Sequence, residues 1–209
     1  SNDNCSDHFG VEGPTGDAWI NTLRLRQMKN FMATLFLSRG VPMMLGGDEF
    51  CRTQHGNNNA YCQDNEISWF DWGLLDRNRE FFEFVRGMIA LRDRHPLLSA
   101  EQFYEPSDVS WLSPEGVAPV WDQESAIACQ LHAQNPGDSD LYLLFNPLPH
   151  ALHFKLAPPP NDRVWRKQVD TAAAPPHDVC RTEQGGVLHH QHHIELAERS
   201  LVVLVAERG

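Results

Sequence analysis

The stretch Gly40-Val-Pro-Met-Met-Leu-Gly-Gly-Asp-Glu49 constrains the fold of this chain more than any other. A short apolar run ends in paired glycines and adjacent carboxylates. It then opens into His55-Gly-Asn-Asn-Asn-Ala-Tyr-Cys-Gln-Asp64, a loop dense in amides. Buried parallel strands deliver side chains to the carboxyl edge of a sheet in this way, at the edge where α/β proteins bind ligands. The amides, with Tyr61, Trp69 and Trp72, are what a neutral, hydroxyl-rich ligand such as a sugar would need.

The flanks fit a βα pattern. Asp17 can cap a helix over 18–39, with Leu25, Met28, Met32 and Leu35 on one stripe and Phe31, Phe36 and Leu37 widening it. Gly40 supplies the stop. A continuously apolar strand over 41–45 follows, with Pro42 tolerable near its start. Asp76 can cap a second helix over 76–94, with Phe81, Val85, Met88 and Ile89 facing inward and Pro96 closing it.

After residue 98 the pattern changes to short apolar or alternating pieces at 109–112, 125–132, 141–146, 153–156, 164–169, 187–194 and 200–205. Turn signals such as those at 147–149 and 174–178 divide them. Strands at this spacing predict an antiparallel sandwich over 99–209, after an α/β unit over 1–98. One buried parallel strand with two helices cannot cover itself. The chain therefore reads as the carboxyl-terminal portion of a larger enzyme.

A length of 209 residues with 41% hydrophobic residues allows a packed core. The formal net charge of -11 disfavours nucleic acid and anionic membranes, while a neutral ligand remains compatible. The five cysteines are widely spaced, with no CxxC pair, which points to a reducing, cytoplasmic compartment rather than a disulfide or zinc scaffold. His189-His190-Gln191-His192-His193 would split its imidazoles between two faces of a strand, so neither face offers three nearby ligands. No metal or other cofactor is expected, and loop carboxylates are too few for a calcium cage.

Gly40 to Glu49, Thr53-Gln-His-Gly-Asn-Asn-Asn59 and Ile67-Ser-Trp-Phe-Asp-Trp72 resemble the bacterial glycogen debranching and isoamylase subgroup of the α-amylase superfamily of glycoside hydrolases. The opening Asn2-Asp-Asn4, Gly10-Val-Glu-Gly-Pro-Thr15 and the closing Ala197-Glu-Arg-Ser-Leu-Val-Val-Leu204 extend the resemblance over the whole chain. It implies a fragment of a TIM (β/α)8 barrel (helix seven, strand eight and helix eight) followed by the family's carboxyl-terminal sandwich. It also implies a parent enzyme that hydrolyses α-1,6 branch linkages of glycogen or limit dextrin by a retaining mechanism. The family's three catalytic carboxyl groups would all precede residue 1, so no catalytic residue is expected in this chain, and the fragment alone is expected to be inactive. The implied partners are a branched α-glucan and the missing upstream barrel portion, with self-association through the exposed strand. Cys51 stands where the family is expected to carry glycine.

The substrate-binding candidates are Asp48, Glu49, Gln54, His55, Asn57, Asn58, Asn59, Tyr61, Trp69 and Trp72. Each has a plainer reading. Adjacent on a strand, Asp48 and Glu49 would point to opposite faces, a poor nucleophile and acid pair; they could instead organise the loop. Asparagines satisfy turn backbone as readily as sugar hydroxyls. Trp69 and Trp72 could stack on pyranose rings or pack against Ile67, Phe70 and Leu74. Packing inside the sandwich is expected of Trp111, Trp121 and Trp165. Cys51 beside His55 lacks the orienting third group of a thiol nucleophile. The alternative to an enzyme fragment is a noncatalytic carbohydrate-binding or structural module.

Overall fold

The computed structural model describes residues 6–135, 138–160, 162–181 and 185–209. Asn2, Asp3, Asn4 and Cys5 of the sequence reading lie outside them. Among the described residues the α-helices are α1 (Ala18–Leu37), α2 (Gly73–Arg77) and α3 (Arg79–Arg94), with short 3-10 turns at Asp48–Phe50 and Pro96–Leu98. The strands are β1 (Val109–Leu112), β2 (Ile127–Leu131), β3 (Leu141–Asn146), β4 (Leu152–Lys155), β5 (Arg163–Asp170), β6 (Gly186–Val187), β7 (His193–Leu196) and β8 (Ser200–Arg208). No helix among them is long and apolar enough to cross a membrane.

The strands form a six-stranded sheet in the order β1-β2-β3-β8-β5-β6 and a two-stranded ladder of β4 and β7. Every named pairing is antiparallel. β3 and β8 lie at the centre, and their alternation explains the layering. Leu141, Leu143, Leu201, Val203 and Val205 point to one face and pack with Phe36, Leu37, Phe84, Met88, Leu91 and Leu98 of the helical stretch. Tyr142, Leu144, Val202 and Leu204 point to the other and pack with Phe154 and Leu196 of the small ladder. Trp165, fully buried, closes that second core, donating its Nε1–H to the Ala157 carbonyl at 2.9 Å and meeting Tyr142 edge-on at 5.4 Å.

The expected barrel fragment is not what forms. Two open antiparallel sheets and three α-helices stand in its place, and no closed barrel exists among the described residues. Residues 41–45 join no ladder, and Val41 and Met43 are 96% and 89% exposed. An isolated extended segment cannot become a parallel strand without a neighbour to bond, and none of the described strands lies beside it. The helices therefore use the antiparallel sheet as their packing surface.

Both ends of α1 are tied down by side chains, one local and one distant in sequence. Asp17 Oδ1 accepts from the amides of Trp19 and Ile20, the cap expected from sequence. At the other end the buried Arg92 guanidinium of α3 donates to the carbonyls of Phe36, Ser38 and Gly40, satisfying acceptors that a helix terminus leaves open. Asp76 does not cap α3; it pairs with Arg79, and Asn78 occupies the cap position. Gly87 brings α3 close to the sheet, since a Cβ there would meet Val179 Cγ1 at 2.6 Å.

Candidate functional site

The loop after residue 45 is built on its glycines. Gly47 has φ +95°, and a Cβ on it would lie 2.7 Å from Arg52 Cδ, so both backbone and space demand glycine. The Gly47 amide donates to Glu49 Oε2 at 2.7 Å, and the Gly47 carbonyl accepts from Phe50 and Arg52. Asp48 Oδ1 pairs with Arg52 Nε at 3.0 Å. Both carboxylates thus fold the turn. Phe50, almost wholly buried, is its anchor, meeting Phe70 and Trp72 at ring-centroid distances of 6.2 and 5.6 Å. Asn78 Nδ2 holds the Phe50 carbonyl from below at 3.0 Å.

Beyond the anchor the chain advances by side-chain turns. Asn57 Oδ1 accepts from the Asn59 amide at 2.9 Å, and Asn59 Oδ1 from the Tyr61 amide at 3.1 Å. Asn65 does the same for Ile67 at 3.0 Å. These are Asx turns, which stiffen a loop without a ladder. Gln54 is also engaged: its Oε1 accepts from Arg52 and its Nε2 donates to the Asn57 carbonyl. His55 adopts a positive φ of 52° and is exposed, as is Asn58.

The aromatic candidates face outward. Trp69 and Trp72 are 61% and 65% exposed, and Tyr61 is more so. Trp69 Nε1 donates to Asp64 Oδ1 at 2.9 Å, which fixes the indole and leaves its rings to solvent. Trp72 rests one side on Phe50 and Phe70. The loop therefore presents two anchored indole faces beside Asn57 and Asn59, whose amide oxygens are bonded within the loop and whose Nδ2–H groups are donors, while Gln54 is engaged through both oxygen and nitrogen.

The thiol reading of Cys51 fails on its environment. Burial pushes the thiol up to about 11, with Asp48 adding to the shift, so it stays protonated and unreactive near neutral pH. Among the described residues no group of three or more His, Cys, Asp or Glu side chains is placed to hold a metal ion. His190 and His193 instead stack at 4.6 Å.

One expectation is reversed. Trp111 and Trp121 do not pack inside the sheets; they are 44% and 63% exposed and meet each other edge-on at 5.9 Å. Sequence reasoning missed this because a tryptophan on a short strand looks the same whether its strand is central or at an edge, as β1 with Trp111 is, and because Trp121 lies on a turn outside the strands.

No family model matches the chain. Relatives do. It is 39% identical over 184 residues to isoamylase 3, chloroplastic, of Oryza sativa, covering 85% of this chain and 23% of that protein. It is 37% identical over 194 residues to the glycogen debranching enzyme of Pectobacterium atrosepticum, covering 90% and 27%. This chain is homologous to a segment of the glycogen debranching and isoamylase proteins. It spans about a quarter of their length. Among solved structures, the pullulanase of Bacillus acidopullulyticus superposes with a TM-score of 0.71 at 21% identity, covering 92% of this chain and 21% of that one. That likeness establishes a shared fold over the segment.

Proposed function

We propose that this chain is a noncatalytic module of the α-glucan debranching machinery, which presents a sugar-contacting surface. The observation behind this reading is the pairing of solvent-facing Tyr61 and the anchored, solvent-facing Trp69 and Trp72 with the amide-rich turns at 54–59, on a chain related to glycogen debranching enzymes. Indole faces take the CH side of a pyranose while amides take its hydroxyls. Asp48 and Glu49 play a supporting role by shaping the turn. Retaining hydrolysis needs two carboxyl groups about 5–5.5 Å apart across the linkage. Asp48 and Glu49 are committed to Arg52 and the Gly47 amide, which argues against that pair. Cleavage of α-1,6 linkages in glycogen or limit dextrin is assigned to polypeptide outside these residues, docked along the exposed 41–45 segment. Without that polypeptide the segment mediates self-association. A reducing cytoplasmic setting suits the unpaired thiols of Cys51 and Cys62.

The test is co-sedimentation of the purified chain with glycogen, alongside a reducing-end assay. Retention on glycogen without released ends is expected, with retention weakened in Trp69→Ala and Trp72→Ala. Release of reducing ends by the chain alone would refute a noncatalytic role, and failure to bind glycogen would refute the glucan surface.

A further inference from the structure

Ser110 of β1, His132 just after β2 and Asp140 just before β3 meet at one end of the large sheet. Register brings them together. Ser110 stands opposite Gln130, and His132 follows two residues later on the same face. Carrying the β2–β3 register one step past Leu131 and Leu141 sets Asp140 opposite His132. Ser110 Oγ lies 2.8 Å from His132 Nε2, and His132 Nδ1 lies 3.3 Å from Asp140 Oδ2. Asp140 is buried, and its carboxyl also accepts from Gln130 Nε2 at 3.1 Å and from the Ala133 amide at 3.0 Å. With those oxygens accepting, the His132 proton sits on Nδ1, and Nε2 is left to take the Ser110 hydroxyl proton.

We propose that Ser110, His132 and Asp140 form a site that hydrolyses short-chain carboxylic esters. Nucleophile, base and orienting carboxylate stand in the order acyl transfer needs, each within hydrogen-bond reach of the next. Ser110 and His132 are only half-buried, and β1 has β2 on one side alone, so an ester can approach from the open edge. That edge also supplies a donor. The His132 amide bonds the Asp108 carbonyl at 2.8 Å, so along this ladder Ser110 bonds Gln130 and the Trp111 N–H points off the sheet. An amide directly after the nucleophile is placed to hold a developing oxyanion. Ser110 Oγ attacks the ester carbonyl carbon as its proton passes to His132 Nε2. The imidazolium returns that proton to the departing alkoxide, leaving an acyl group on Ser110. Water deprotonated by the same nitrogen then releases the acid and restores the hydroxyl. The formal charge of -11 favours a neutral or cationic ester over an anionic one. This chemistry acts on an acyl carbon, not a glycosidic bond, and stands or falls separately from the glucan surface.

The full chain is tested with p-nitrophenyl acetate, and with a fluorophosphonate probe followed by peptide mass spectrometry. The probe is expected on Ser110. Ser110→Ala and His132→Gln should each cut p-nitrophenolate release at least about a hundredfold. Ser110 is half-buried on an edge strand, so Ser110→Ala should unfold thermally as wild type does. Asp140 positions the imidazole, so Asp140→Asn should lower kcat and leave KM unchanged, whereas a merely structural role would disturb KM as well. Wild-type hydrolysis no faster than that of Ser110→Ala overturns the site. So does a probe that leaves Ser110 unlabelled while reacting elsewhere or nowhere.

Discussion

Cys51 sits in the left-handed region with φ 60°, where the turn after Phe50 asks for glycine geometry. Its thiol is raised to about 11, so at pH 8 only about one molecule in a thousand carries the thiolate. Cys62 is exposed on the same loop. Maleimide labelling followed by peptide mass spectrometry should modify Cys62 first, with Cys51 lagging far behind; equal rates would mean that the loop opens. His95 makes the opposite trade. A helix C-terminus favours a protonated imidazole, but burial first and Arg94 second lower His95 to about 4. Between about 6.5 and 4 the unfolded chain therefore binds a proton that the native chain refuses, and stability falls as pH falls through that window. The expected loss is roughly 2 kcal/mol, less than the full shift implies because the ring is only partly enclosed. Urea unfolding at pH 7 and pH 4.5 should show a smaller difference in His95→Gln than in wild type.

At the scale of elements, α1 docks through polar contacts as much as apolar ones. Lys29 Nζ lies 2.7 Å from Asp178 Oδ2 with both side chains almost wholly buried, and Arg26 pairs with Glu198 beside β8. Removing one partner of such a pair strands a buried charge. Lys29→Met should therefore cost about 3–5 kcal/mol in urea unfolding, and Lys29→Met combined with Asp178→Leu should recover much of it. A double variant no better than the single one would show that the pair does more than neutralise itself. The buried face of α1 was legible only in part: Phe36 and Leu37 are buried as read, whereas Phe31 is 75% exposed. The expected stripe is half-buried, with Leu25, Met28 and Met32 packed against the rim of the core, while the unexpected Leu23, Lys29 and Ala33 are fully buried. Apolar residues surround this helix nearly all the way round, so periodicity cannot choose a side. α3 is more clearly two-sided, and Phe81, Val85 and Met88 are buried as read, though Ile89 is not.

At the scale of the molecule, Val41, Met43 and Leu45 remain an exposed apolar edge. Sedimentation velocity should show association that rises with concentration in the wild-type chain and is reduced in Val41→Ser with Met43→Ser; a wild type that stays monomeric throughout would remove that edge as a contact. The antiparallel strands were legible in sequence because alternation and turn residues are local signals; β1, β3 and β8 begin where the pattern begins. The loop's turns were legible for the same reason, as asparagine side chains bond backbone only two residues away. Sequence by itself thus determined the strand pattern, the α1 cap and the chemistry of the loop. Only tertiary structure decided that 41–45 would lack a ladder, that Lys29 would be buried and that Trp111 and Trp121 would face solvent. Each depends on which distant surface arrives opposite a residue, and no local pattern encodes that.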